Sequence, residues 1–181
     1  IDEILIRNHE ISAHGVKWIS HAYLSREEET QIINDCYSSI LKLSGHPPVG
    51  WHTKSSTSPF TRDLLIEHGG FTYDSNAYND DIPYVLKIND QKLVIIPYSF
   101  DTNDMRYDGN NGFVRGDDFN IYCKESFNQL LSETDDGSLR MMSIGLHPRI
   151  IGRPGRIKGL EDFIKHIKTC LLYTSDAADE S

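Results

Sequence analysis

Met141-Met142-Ser143-Ile144-Gly145-Leu146-His147-Pro148-Arg149 is an apolar run that ends on a histidine and an arginine. The uncharged stretch 141–146 is too short for a buried helix. It is bounded by the polar loop 132–138 on one side and by Pro148 on the other, and it reads as a buried strand. An amphipathic helix is expected over 154–168, with Ile157, Leu160, Ile164 and Ile167 inward. Strand, polar strand end, then helix is the repeating unit of an α/β fold.

The same unit recurs upstream. Residues 2–7 read as the end of a helix, and 10–14 as a short strand leading to Gly15. Ser25-Arg26-Glu27-Glu28 is a capping box, and the helix behind it carries Ile32, Ile33, Cys36, Tyr37, Ile40 and Leu41 on one face until Gly45 and Pro47 end it. A strand at 49–52 follows. Ser58-Pro59 reads as an N-cap with proline at the first helical position, opening a helix over 60–68 that stops at Gly69-Gly70. Residues 71–74 form the next strand, and 84–88 with 93–98 form a hairpin around Asn89-Asp90-Gln91. Asp117 or Asp118 caps a helix whose apolar face holds Phe119, Tyr122, Cys123, Phe127, Leu130 and Leu131. Gly109-Asn110-Asn111-Gly112 is a turn without the strand-to-helix context of a phosphate cradle. Strands alternating with helices predict α/β architecture with a largely parallel sheet.

The chain has 181 residues, 38% hydrophobic and 25% charged, with a formal net charge of −9. An acidic chain with scattered basic residues is a poor partner for nucleic acid, and it has no attraction to an anionic membrane. No apolar run approaches the roughly 20 residues that span a bilayer. Cys36 and Cys123 sit in helical apolar patterns and read as small buried hydrophobes, without zinc or disulfide spacing. A cytoplasmic location is the expectation from this cysteine usage.

Polar residues follow several predicted strands: His14 after 10–13, Asp101, Asn103, Asp104 and Arg106 after 93–98, and His147 and Arg149 after 141–146. The carboxyl ends of strands are where α/β folds build their sites, and histidine transfers protons near neutral pH. His9 and His14 stand five residues apart, not the four a metal-binding helix requires, so a zincin-type site is excluded. His9 reads as structural; His46, His68 and His166 read as solvated; His21 and His52 fit either role. Ser55, Ser56 and Ser58 lack the glycines of a nucleophile elbow and read as loop and cap.

These residues also carry a family resemblance. Asn8-His9-Glu10-Ile11-Ser12-Ala13-His14-Gly15 resembles the second motif of the polysaccharide deacetylase, or NodB-homology, superfamily, and Ile144-Gly145-Leu146-His147 resembles its last motif. Segments 50–59, 73–84, 96–106 and 146–154 resemble the PuuE-type allantoinase branch, so the similarity runs from about Ile4 to Lys168. The resemblance implies a distorted (β/α)7-type barrel whose N-terminal strands and acidic first motif are expected upstream of Ile1. It implies hydrolytic opening of the hydantoin ring of allantoin in purine catabolism, with His147 as general acid and His14 orienting water or substrate. Trp18 and Trp51 are expected to wall the pocket, and Asp101, Asn103, Asp104 and Arg106 to line it or hold its loop. Metal-dependent members place a second histidine four residues after the one matching His14; here that position is Trp18. Loss of one ligand cripples such a site, and the allantoinase branch is described as metal-independent, so no metal and no cofactor are expected. A small-molecule substrate is the expected partner, and a homo-oligomer of the longer protein is compatible with this reading. Two other readings stay open: a metal-dependent carbohydrate N-deacetylase, and an inactive truncated segment.

Residues 170–180 fit one reading frame of a transposase-type sequencing adapter. The expectation is therefore a native segment at 1–169 followed by an unrelated tail at 170–181 that packs against nothing, and a segment that leaves strand edges unpaired when alone.

Overall fold

The computed structural model describes residues 1–109, 112–134 and 137–170. Asn110 and Asn111 of the expected turn, and the tail from Leu171 onward, lie outside the described residues. The chain divides into two units, Ile1–Tyr98 and Ser99–Ser181.

The first unit runs through α1 (Asp2–Ile6), α2 (Arg26–Ser44), β1 (Gly50–Trp51), α3 (Thr61–His68), β2 (Tyr73–Asp74), β3 (Tyr84–Ile88) and β4 (Gln91–Ile95). Ser25 starts α2 by the expected capping box: its hydroxyl accepts from the Glu28 amide at 3.2 Å, and the Glu28 carboxylate accepts from the Ser25 amide at 2.8 Å. Amides at the helix start, which have no intrahelical partner, are thereby satisfied. Gly45 ends α2 at φ 76°, a left-handed conformation glycine takes without strain. Ile33 and Cys36 of α2 pack with Leu64, Leu65, Trp51, Phe71 and Ala13 in one core cluster. Of the face read from the sequence, Leu41 is exposed instead.

The sheet has the order β1-β2-β4-β3. The β1–β2 and β2–β4 pairs are parallel, and β3–β4 is an antiparallel hairpin. Its turn is two residues long. Asn89 and Asp90 both adopt positive φ, 50° and 62°, as a tight right-twisting hairpin requires, so pairing begins already at Gln91. The strand stops at Ile95, short of the expected 98, because Pro97 has no amide to donate. The strand expected at 10–14 is reduced to one parallel bridge, Ala13 to Trp51, with Ala13 N donating to Gly50 O and His52 N to Ala13 O, each at 2.9 Å. Its pairing is limited by its neighbour, since β1 is itself only two residues long. At Gly50 a Cβ would lie 1.9 Å from the Tyr73 ring, so glycine leaves the space that this ring occupies.

The second unit holds a 3-10 turn (Asp104–Tyr107), α4 (Gly116–Ser132), α5 (Pro148–Ile151) and α6 (Pro154–Ile167). Asp118 fastens the start of α4 by accepting from Val114 N at 2.8 Å and Arg115 N at 2.7 Å. Phe119, Cys123, Ile150, Ile151 and Phe163 are buried in its core, with Phe127, Leu160 and Ile167 beside them. Ile164, expected inward, is 38% exposed; Phe163 takes the buried position. Burial pushes the thiols of Cys36 and Cys123 up, the latter to about 12, so both are inert hydrophobes rather than nucleophiles. Among the described residues, no helix is long and apolar enough to cross a membrane.

The expected strand at 141–146 is a correction: these residues form no ladder. Their polar groups bond to the segment 99–104 instead. Ser99 N donates to Ser143 Oγ at 2.9 Å, Thr102 Oγ1 to Ser143 O at 2.5 Å, and Asp104 N to Gly145 O at 2.9 Å. These irregular bonds hold the segment in place of a strand ladder.

Where α4 meets α6, a Cβ at Gly159 would fall 2.0 Å from the carbonyl oxygen of Gly116. The atom it would meet is backbone and cannot swing aside, so the helices would have to part. Gly159→Ala is expected to destabilise the protein by about 1–3 kcal/mol, read as a lower urea midpoint. A variant as stable as the parent would show that this helix contact is looser than described.

Candidate active site

In the first unit the parallel strands send their carboxyl ends to one edge of the sheet. His14 follows Ala13, His52 follows β1, Ser75 and Asn76 follow β2, and Tyr98 lies three residues past β4. The side chains are tied to one another. His14 Nδ1 bonds to the His52 carbonyl, and His52 Nδ1 bonds to the Ser75 carbonyl at 2.7 Å. The His14 and His52 rings stack with centroids 5.3 Å apart and planes 22° from parallel, and Tyr98 lies 4.8 Å from His52 on centroids. Burial holds the His52 imidazole below its ordinary pKa. The His14 charge pushes the same way, against the Ser75 carbonyl and Asp74, which raise it.

Beneath this edge Asp74 is fully buried and organises the β2 end. It accepts from Arg62 Nε at 2.9 Å, from Asn76 N at 3.1 Å and from the Asn76 side-chain amide. Asn76 in turn accepts from Thr53 N at 2.8 Å, which fixes the backbone after His52. Another buried group lies in this unit. Glu29 of α2 accepts from His21 Nδ1 at 2.9 Å, from Thr61 Oγ1 at 2.6 Å and from Ser58 Oγ. Burial alone raises the Glu29 pKa, but these three hydrogen bonds outweigh it and the net shift is downward. This network anchors the segment after His14, because His21 N also donates to Ser56 O at 3.0 Å.

In the second unit Asp104 and His147 form a pair. Asp104 is fully buried. Its Oδ1 stands 2.6 Å from His147 Nδ1, and its Oδ2 accepts from His147 N at 2.7 Å and from Ile151 N at 3.2 Å. One carboxylate thus holds the histidine by backbone and ring together and caps the start of α5. A carboxylate only accepts, so Nδ1 carries the proton and Nε2 becomes the atom that exchanges protons.

The remaining residues named from the sequence separate by role. Trp18 is half exposed, with the Lys54 ammonium 5.4 Å from its ring centroid. Trp51 is a correction. It is fully buried, packs edge-on against Phe71, and donates from Nε1 to Thr53 Oγ1 at 2.9 Å; it supports β1 from within the core and offers no face to a pocket. Asp101 is exposed, and its carbonyl accepts from Arg106 Nη1 at 2.8 Å. Asn103 is buried and caps the 3-10 turn by accepting from Met105 N at 2.7 Å. The Arg106 guanidinium lies 4.5 Å from both the Phe113 and Tyr122 centroids, a stacked, structural placement. Of this group Asp104 acts directly on a candidate histidine. An apolar groove of about 400 Å³ lined by Phe127, Leu131, Leu139 and Met142 contains none of these residues.

Sequence reasoning left His52 ambiguous and did not single out Asn76 or Tyr98. The register between Ala13 and Trp51 is what brings His52 beside His14. Among the described residues, no three histidine, cysteine or carboxylate side chains converge as metal ligands. His14 Nδ1 bonds to a carbonyl, and the Lys54 ammonium lies over the Trp18 ring.

No family model matches the chain. A Schizosaccharomyces pombe protein named "Putative polysaccharide deacetylase" is 35% identical over 174 residues, covering 87% of this chain and 54% of the other. The crystal structure of a probable polysaccharide deacetylase from Pseudomonas aeruginosa PAO1 superposes with a TM-score of 0.87 at 38% identity, over 93% of this chain and 56% of that one. The crystal structure of Puue allantoinase matches with a TM-score of 0.87 at 39% identity, over the same shares. The chain therefore spans about half the length of these relatives. The expected α/β fold of the NodB type is the one found.

Proposed function

The chain belongs to the polysaccharide deacetylase superfamily, and from that premise we propose that the protein is a hydrolase that opens the hydantoin ring of allantoin to give allantoate, in purine catabolism. The observation that carries the reading is the Asp104–His147 pair. Ring opening needs water to add to an amide carbonyl and a proton to reach the departing ring nitrogen. His147, held in one tautomer by Asp104, takes the attacking water's proton at Nε2 and delivers it to that nitrogen as the ring opens. His14, pinned through Nδ1, orients water or a polar group of the substrate. Trp18 in place of a second ligand, under the Lys54 cation, favours chemistry that needs no metal. The similarity to the Puue allantoinase structure supports the same substrate class.

A second reading is a metal-dependent carbohydrate N-deacetylase, favoured by what the other relatives are called. The two readings part on metal. Activity of the full-length protein on allantoin is expected to survive exhaustive chelation and dialysis. Complete loss on chelation, restored by a divalent cation, would favour the deacetylase instead.

A further inference from the structure

We infer that His52 contacts the substrate, and that with His14 it forms a paired acceptor site for the N–H groups of an uncharged ureide. The inference rests on the reading that the carboxyl edge of the first unit's sheet is an active edge.

Both rings are fixed in the same sense. Each Nδ1 faces a backbone carbonyl, that of His52 for His14 and that of Ser75 for His52. Carbonyls only accept, so both Nδ1 atoms carry protons and both Nε2 atoms hold lone pairs when the rings are neutral. The His52 ring is confined between His14 and Tyr98, which limits rotation that would exchange donor for acceptor. Among the described residues its Nε2 makes no hydrogen bond, and it is not one of the enclosed atoms. His21 is the contrast: its Nε2 is enclosed without a partner, so that ring serves the core. His52 is instead a neutral, oriented acceptor at a strand end.

Two stacked acceptors suit a ligand with several N–H donors. A hydantoin or ureido group has them. An N-acetyl sugar offers one amide N–H, its other donors being rotatable hydroxyls, and a simple carboxylate such as acetate offers none. A site built to pair N–H groups rejects ligands lacking them, because its polar atoms are then left unpaired.

The test uses the full-length protein, wild type and two variants. His52→Phe keeps a flat ring for stacking and removes both nitrogens; His52→Gln keeps a hydrogen-bonding side chain. His52→Phe is expected to raise KM for allantoin roughly 3–10-fold, the worth of one hydrogen bond, with a smaller change in kcat. The acid limb of kcat/KM that reports His52 protonation should disappear, and His52→Gln should recover part of the KM. In parallel, hydantoin added to nitrogen-15 histidine-labelled wild type should shift the His52 Nε2 resonance. Turnover of allantoin with KM, kcat and acid limb unchanged in His52→Phe would overturn the inference and leave the hydrolase reading standing. No allantoin turnover, with hydantoin still shifting His52 Nε2, would remove the hydrolase reading and keep the acceptor site. No shift at His52 overturns the inference whatever the turnover, even if neither variant folds.

Discussion

Replacing His147 with alanine is expected to lower kcat of the full-length protein by about 10²–10⁴-fold, the usual worth of a positioned general acid. Substrate binding should change much less, because the proton is delivered in the transition state. Asp104→Asn should lower kcat by a smaller factor with the histidine present. An amide can donate as well as accept, so it no longer enforces the tautomer in which Nε2 exchanges the proton. Stability should fall modestly in His147→Ala, since Asp104 still accepts from the backbone amides of residues 147 and 151. Steady-state kinetics beside thermal melting checks this. A variant that melts early while its folded fraction turns over normally would make His147 structural.

The second large effect concerns stability. Glu29→Ala is expected to cost on the order of 3–5 kcal/mol, the loss seen when one partner of a buried polar pair is removed. His21, Ser58 and Thr61 would lose a common acceptor, and all three are buried. The sign of the pH dependence follows from the lowered Glu29 pKa. Its stabilisation is complete above the ordinary glutamate value and is lost as pH falls through the lower folded-state value. Glu29→Gln should therefore flatten the acid limb of the stability curve below about pH 4.5. Urea melts between neutral and acid pH measure this; parallel acid limbs in wild type and variant would mean Glu29 titrates normally.

Helices were legible because their signals are local. Ser25 with Glu28, Gly45, Pro154 and the apolar spacing of α2, α4 and α6 each act within a few residues. Strands were legible only in part. The hairpin of β3 and β4 has its partner next to it in sequence, whereas 10–14 and 141–146 depend on distant neighbours that decide how much ladder forms. Site geometry was the least legible. Asp104 lies 43 residues from His147, and nothing in either segment alone points to their pairing. His52 gained meaning only from the register that places it beside His14. Trp51 misled because an aromatic at a strand end can face core or pocket with the same sequence around it.

The most direct measurement compares kcat/KM of the full-length, metal-stripped protein for allantoin and for an N-acetylated chitooligosaccharide, with products identified by carbon-13 NMR. The expected result is allantoate from allantoin and no acetate from the sugar. Acetate release from the sugar, with allantoin left intact, would contradict the account.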